Sequence, residues 1–215
     1  MNKTLSIGLV SLIAATANGA TVLYDADFST DGQGVTHSTA GGFSDTSPYS
    51  GANWILTFDS PSTDSGGNQF ITAGGLMSVL DWGGDGTITS LGITIAETGA
   101  VNITGAGLAV GSDVFNIVGN EGITWFYSIN SGAPVTVFLG ETELGGPVAA
   151  GTDVGNSFTN VAVTAGDTLE VGFTVNVNGG GDGVDISSLS VETVPEPSTA
   201  LLGGLALLGF LRRKR

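Results

Sequence analysis

Asp25 and Asp27 stand two residues apart in the run Val22-Leu-Tyr-Asp-Ala-Asp-Phe28. On an extended strand that spacing sends both carboxylates out of one face, about 7 Å apart. Two more, Asp182 and Asp185, close the run Asn178-Gly-Gly-Gly-Asp-Gly-Val-Asp185. Calcium takes about six to eight oxygens from carboxylates and backbone carbonyls, and a glycine-rich loop leaves such carbonyls bare. Asp25, Asp27, Asp182 and Asp185 are therefore candidate calcium ligands, and calcium is the one cofactor these residues suggest. Aspartate also forms turns through local hydrogen bonds, so the same four fit a purely structural role.

A second candidate is Trp82 in Asp81-Trp-Gly-Gly-Asp-Gly86. An indole exposed in an acidic turn would offer its flat apolar face to a sugar ring while the carboxylates accept hydroxyls. The competing expectation folds Trp82 back over the edge of the core, and Trp54 and Trp125, read as alternating with polar residues on strands, are expected inside it. His37, in Gly34-Val-Thr-His-Ser-Thr-Ala-Gly41, has no partner in the sequence pattern. With no cysteine and this lone histidine, nucleophile systems built on Ser-His-Asp or Cys-His find no support. A retaining glycosidase needs two carboxyls about 5 Å apart in a cleft, and nothing in the sequence singles out such a pair. No catalytic residue is assigned, and the chain is expected not to be an enzyme.

The elements that must position these residues are strands. Leu169, Val171, Phe173, Val175 and Val177 alternate with polar or small residues, as do Ile123, Trp125, Tyr127 and Ile129; such alternation marks strands with one buried face. Further strands are expected at 53–59, 70–80, 87–95, 100–104, 134–139, 157–163 and 183–194. In the last, the apolar phase shifts from Val184 and Ile186 to Leu189 and Val191 across Ser187-Ser188, as a β-bulge requires. Residues 31–50 and 59–68 read as polar loops. About ten short antiparallel strands with glycine-rich turns indicate an all-β fold, an antiparallel β-sandwich. A regular Thr-x-Thr array, which ice binding would favour, is missing; Thr87-Ile-Thr89 stands alone.

Charge is distributed unevenly. The chain has 215 residues, 36 of them glycine, and a net charge of −15. All five basic residues lie near the ends, at Lys3, Arg212, Arg213, Lys214 and Arg215, whereas nineteen of the twenty acidic residues lie in the body between residues 21 and 192, the twentieth being Glu196. A body without lysine or arginine excludes ordinary nucleic-acid binding, which draws its affinity from cations on phosphates. The absence of cysteine means that no disulfide staples the body, which must rely on core packing.

Both ends read as transport segments. Met1 to Lys3 is a short basic start, Leu5 to Ala15 is apolar, and Ala15-Thr-Ala17 or Ala17-Asn-Gly19 is a small-residue cleavage site, the anatomy of a secretory signal peptide over residues 1–20. At the other end Val194-Pro-Glu-Pro-Ser198 precedes an apolar run, Ala200 to Leu211, and Arg212-Arg-Lys-Arg215. As a helix the apolar run spans about 18 Å at roughly 1.5 Å per residue, short of a hydrocarbon core of ~30 Å. The cations would hold its end on the cytoplasmic side.

This tail resembles the PEP-CTERM sorting signal, also classified as an ice-binding protein C-terminal type. The resemblance rests on Val194, Pro195, Glu196, Pro197 and Ser198, the apolar helix, and the basic end Arg212, Arg213, Lys214 and Arg215. It implies passage through the secretion machinery, transient anchoring in the inner membrane, recognition by a membrane transpeptidase of the exosortase family, and delivery to the cell surface or extracellular polysaccharide matrix. A second resemblance, carried by Glu121-Gly-Ile-Thr-Trp-Phe-Tyr-Ser-Ile-Asn130, Gly132-Ala-Pro-Val-Thr-Val137 and Gly183-Val-Asp-Ile-Ser-Ser-Leu-Ser-Val191, is to carbohydrate-binding-module-type jelly rolls, and implies that kind of sandwich. The expected organisation is a signal peptide at 1–20, a β-sandwich at 21–192, a linker at 193–199, a sorting helix at 200–211 and a basic end at 212–215. The expected function is structural or adhesive, with calcium or glycan binding. A carbohydrate-binding module proper, a polysaccharide hydrolase and an ice-binding protein are the alternatives.

Overall fold

Apolar residues at every second position cannot be buried by a single sheet edge; they need a facing layer, and two sheets supply it. The computed structural model describes residues 19–37, 48–58, 68–111, 114–115, 121–177 and 182–195. The expected signal helix, the sorting helix, the basic end, and Asn178 with the glycine run 179–181 lie outside the described residues.

The chain runs through β1 (Val22–Asp25), β2 (Gly34–His37), β3 (Tyr49–Ser50) and β4 (Trp54–Phe58). Next come β5 (Asn68–Ala73), β6 (Leu76–Leu80), β7 (Trp82–Ser90), β8 (Ile93–Thr94) and β9 (Gly99–Val110). The last are β10 (Gly122–Ile129), β11 (Val135–Leu139), β12 (Asn156–Val163), β13 (Thr168–Val177) and β14 (Gly183–Thr193). One sheet has the order β12-β9-β14-β6-β5-β2 with β1 also on β14; the other has β11-β10-β13-β7-β4-β3 with β8 also on β13. Every pairing is antiparallel. From β9 onward the chain passes back and forth between the sheets, the winding of a jelly-roll sandwich.

The core lies between the sheets. Leu169, Val171, Phe173, Val175 and Val177 of β13 are all buried, facing Val184, Ile186, Leu189 and Val191 of β14. The phase change expected in β14 occurs where its register with β9 shifts, between Ile186 and Ser188. Residues 70–80, read from the sequence as one strand, are instead a hairpin. Gly74 and Gly75 take φ of +60° and +81°, the two left-handed residues a tight primed turn demands, and Ala73 pairs with Leu76. The stretch 31–50, expected as loop, contributes the edge strands β2 and β3. The strand expected at 100–104 extends to the twelve residues of β9.

Large rings fill the space between the sheets, and glycines make room for them. A Cβ placed on Gly105 would fall 2.1 Å from the Trp125 ring, one on Gly86 2.5 Å from Phe70, and one on Gly51 2.0 Å from Trp54. The rings then find partners. Trp125 donates its indole N–H to the Val154 carbonyl at 2.8 Å and packs at 5.2 Å on Phe173, while Trp54 donates to the Asp27 carbonyl at 3.0 Å.

Gly105→Ala is expected to destabilise the sandwich by about 1–3 kcal/mol, the range for overpacking a filled core. Gly99→Ala, on the same strand with nothing within 4 Å of the methyl it would add, is the control and is expected to be neutral or slightly stabilising. Chemical denaturation of both variants checks the difference, and equal midpoints would refute it.

Candidate functional site

The junction between body and tail is built by β14, a central strand. It pairs with β9 down to Thr193 opposite Val101, and β1 flanks its other edge from Ser190 to Glu192. The Val194 N–H donates to the Ala100 carbonyl at 2.8 Å. Pro195, the next residue, is exposed. Proline has no N–H to extend a ladder and restricts the residue before it to extended backbone, so the sheet ends where the Pro-Glu-Pro segment begins. Glu196, Pro197, Ser198 and the basic residues lie outside the described residues.

The four aspartates expected to share a calcium ion are not brought together. Asp25 pairs with Ser190, whereas Asp185 lies farther back on β14 between Ser78 and Leu108. The separation along the strand is about 17 Å at roughly 3.3 Å per residue. Asp25 and Asp27 do not share a strand face either, because β1 stops at Asp25. The Asn53 side chain takes over from the ladder there, donating to the Asp25 carbonyl at 2.5 Å and accepting the Asp27 N–H at 2.9 Å. The Asp27 carboxylate turns to Ser29, accepting its N–H at 2.9 Å and its hydroxyl at 2.5 Å. These two bonds favour the ionised form and hold Asp27 below the usual carboxylate range. Beside it, burial and the Asp25 charge push the Tyr24 phenol up.

At the other end of β14, Asp182 accepts the Asp81 N–H on its backbone carbonyl at 2.8 Å. Asp185 lines an open groove of about 360 Å³ with Leu76, Leu108, Val110, Ala150 and Ser187. That groove is mainly apolar, and among the described residues no three His, Cys, Asp or Glu side chains gather to hold a metal.

The glycan-stacking expectation for Trp82 is corrected. Its indole is fully buried, stacked on Phe58 at 4.9 Å and 29° and edge-on to Phe70 at 6.2 Å. The Asp-Trp-Gly-Gly-Asp-Gly run looks like a turn, yet it enters β7, where Trp82 pairs with Val177 across a bulge. Gly86 leaves the space that Phe70 fills beneath it. Trp54 and Trp125 are buried as expected. His37 closes β2 opposite Asn68, and its side chain lies outside the described set.

Carboxylates elsewhere serve as local backbone or side-chain acceptors. Asp31 accepts from the Gly74 N–H at 2.7 Å, Asp153 from Gly155 at 2.8 Å, and Glu170 from the Ser128 hydroxyl at 3.1 Å. Asp167 takes the Asn130 side chain and the Thr164 N–H, at 2.8 and 2.7 Å, and is likewise held below the usual range. These bonds were not legible as a functional pattern because each is local to its own turn or strand pair.

Residues 193–215 match the PEP-CTERM protein-sorting motif. The chain therefore carries that sorting signal directly after its last strand. No curated protein matches the chain. Among solved structures, TmCBM61 in complex with β-1,4-galactotriose is similar at 12% identity and a TM-score of 0.40, covering 55% of this chain and 70% of its own. The cleaved adhesin domain of Lys-gingipain from Porphyromonas gingivalis is similar at 12% identity and a TM-score of 0.41, covering 82% of this chain and 100% of its own. Among the described residues no helix is long and apolar enough to cross a membrane.

Two outcomes follow from these positions. Trp82→Ala is expected to cost about 3–5 kcal/mol of stability, the range for emptying a buried aromatic site; a variant as stable as the parent would contradict its burial. The depressed Asp27 contributes stability that is fully present above the ordinary carboxylate value of about 3.9 and is lost as pH falls through its lower folded value. The stability gap between the parent and Asp27→Asn should therefore be widest near neutrality and close in acid. Denaturant titrations across pH read it, and a gap that did not narrow would sink the assignment.

Proposed function

We propose that this is an exported protein, anchored briefly in the inner membrane by its tail, whose PEP-CTERM segment is cut by an exosortase-type transpeptidase. The body is a non-enzymatic β-sandwich that serves a structural or adhesive role at the cell surface or in the extracellular polysaccharide matrix. The observation that carries this reading is the junction. Val194, the residue after β14, still donates its N–H to the Ala100 carbonyl, and exposed Pro195 follows at once. Cleavage between Pro195 and Pro197 would leave every residue of β14 in the product.

Two features of the body support the role. No lysine or arginine occurs from residue 4 to residue 211, so the body offers no guanidinium or ammonium group to an anionic partner. Among the described carboxylates, Asp27, Asp31, Asp153 and Asp167 are engaged in caps and turns.

The test is mass spectrometry of the full-length chain expressed in a host that has the transpeptidase, combined with cell fractionation. The expected product begins near Thr21, ends between Val194 and Pro197, and is found outside the inner membrane. Replacing Pro195, Glu196 and Pro197 together by alanine should leave a membrane-held precursor that keeps Arg215. Recovery of the unmodified chain with both ends intact in the cytosol would overturn the proposal.

A further inference from the structure

The outward face of the second sheet carries an array that no single strand contains. Cross-strand registers set Phe138 of β11 opposite Thr124 of β10, Thr124 opposite Thr174 of β13, Thr174 opposite Thr87 of β7, and Thr87 opposite Thr57 of β4. One step along the strands, Thr136 of β11, Phe126 of β10, Gly172 of β13 and Thr89 of β7 form a second row. At roughly 4.8 Å per strand the first row extends about 19 Å. The Thr87 and Thr174 hydroxyls are 2.8 Å apart.

The two phenyl rings lie along this face rather than standing up from it. The far end of Phe126, its Cζ, rests over the neighbouring strand, where a Cβ on Gly172 would be 2.5 Å away. The far edge of Phe138 sits over Gly122 and Gly140, where added Cβ atoms would be 2.5 and 2.8 Å from the ring. Phe138 is nonetheless 38% exposed and Phe126 is half-buried. Glycine at these positions lets the rings lie down, with one face left to solvent.

We propose that this face, Phe126 and Phe138 flanked by the threonine rows, is the platform on which the protein binds a neutral polysaccharide. The negative face of an aromatic ring attracts the weakly positive C–H groups on one side of a pyranose, and threonine hydroxyls both donate to and accept from sugar hydroxyls. At the margins Glu170 bonds Ser128 and Asp85 bonds Asn176, at 3.1 and 3.2 Å, adding acceptors. Charge selects the occupant: a body with nineteen carboxylates and no lysine or arginine repels uronate or sulfate chains and leaves a chain of uncharged hydroxyls. An ice lattice would also meet rows of threonine, but it demands flatness. Adjacent strands turn by roughly 20–25°, so the outer threonines of a four-strand row differ by about 60–75°, and a flexible sugar chain can follow that twist while a crystal plane cannot.

The platform deepens the surface role proposed above and rests on it only for access to the matrix. Its test is independent of sorting. The purified full-length chain is run in affinity gels containing hydroxyethyl cellulose, galactan or laminarin, and sedimented with insoluble cellulose, with alginate as the anionic comparison. Retention by at least one neutral polymer is expected, falling at least tenfold in Phe126→Ala/Phe138→Ala and severalfold in Thr174→Val, a variant that keeps the shape and removes the hydroxyl. Thermal melting accompanies each variant; Phe138→Ala alone, at an exposed ring, serves if the double variant does not fold. No retention on any neutral polymer would overturn the platform, as would equal retention on alginate, retention indifferent to these variants, or thermal hysteresis that Thr174→Val abolishes. Correct sorting with no retention defeats the platform alone, and retention by a protein that is never sorted defeats the export reading alone.

Discussion

The structure depends on aromatic rings lodged against bare backbone. Trp54 sits against Gly51, Trp125 against Gly105 and Phe70 against Gly86, each so close that a methyl would overlap the ring. Cysteine is absent and lysine and arginine are confined to the ends, so disulfides and internal salt bridges to these cations contribute nothing to the sandwich. Burial must then supply the stabilisation, at about 1.5–3 kcal/mol for each large apolar side chain fully buried. Glycine weakens a strand by its own backbone entropy. Here it also admits the rings that offset that cost, so a glycine-rich composition belongs to a closely filled core.

The same constraint explains the conduct of the carboxylates. With no lysine or arginine partner in the body, an acid is held by backbone N–H groups, side-chain amides and hydroxyls. Asp27 with Ser29, and Asp167 with Asn130 and Thr164, are of this kind. Such bonds fix local turns and stay within reach of water, which spares the body the desolvation of isolated charge. Negative charge is thereby tolerated across the surface, and it bears on which partners can approach.

Period-two alternation made β10, β13 and the bulged β14 legible in the sequence, because each turns its apolar residues to the core and the phase change at Ser187-Ser188 marks the bulge. The hairpin at Gly74-Gly75 was missed although a Gly-Gly pair is a primed-turn signal; apolar residues on both sides made 70–80 look continuous. Trp82 misled for a related reason. Glycine and aspartate around it suggested a turn, whereas the run enters β7 and Gly86 there makes room for Phe70. The calcium set failed at the level of topology, since Asp25 and Asp185 meet β14 at opposite ends. The threonine rows were invisible for the complementary reason: Thr57, Thr87, Thr124 and Thr174 come from four strands, and only register makes them neighbours.

The placement of β14 links the two ends of the functional argument. A tail attached to an edge strand could peel it away one hydrogen bond at a time when pulled. This tail leaves from a strand paired with β9 on one side and with β6 and β1 on the other. A load on Val194 along the strand therefore acts on both ladders in shear, with many bonds sharing it, and the buried side chains of Val184, Ile186, Leu189 and Val191 must slide together. The rings and threonines of the second sheet belong to the facing layer, so traction through the C-terminus reaches them only after crossing the core. A pull at that end, for as long as the tail is in place, would leave the outer face of the second sheet in shape.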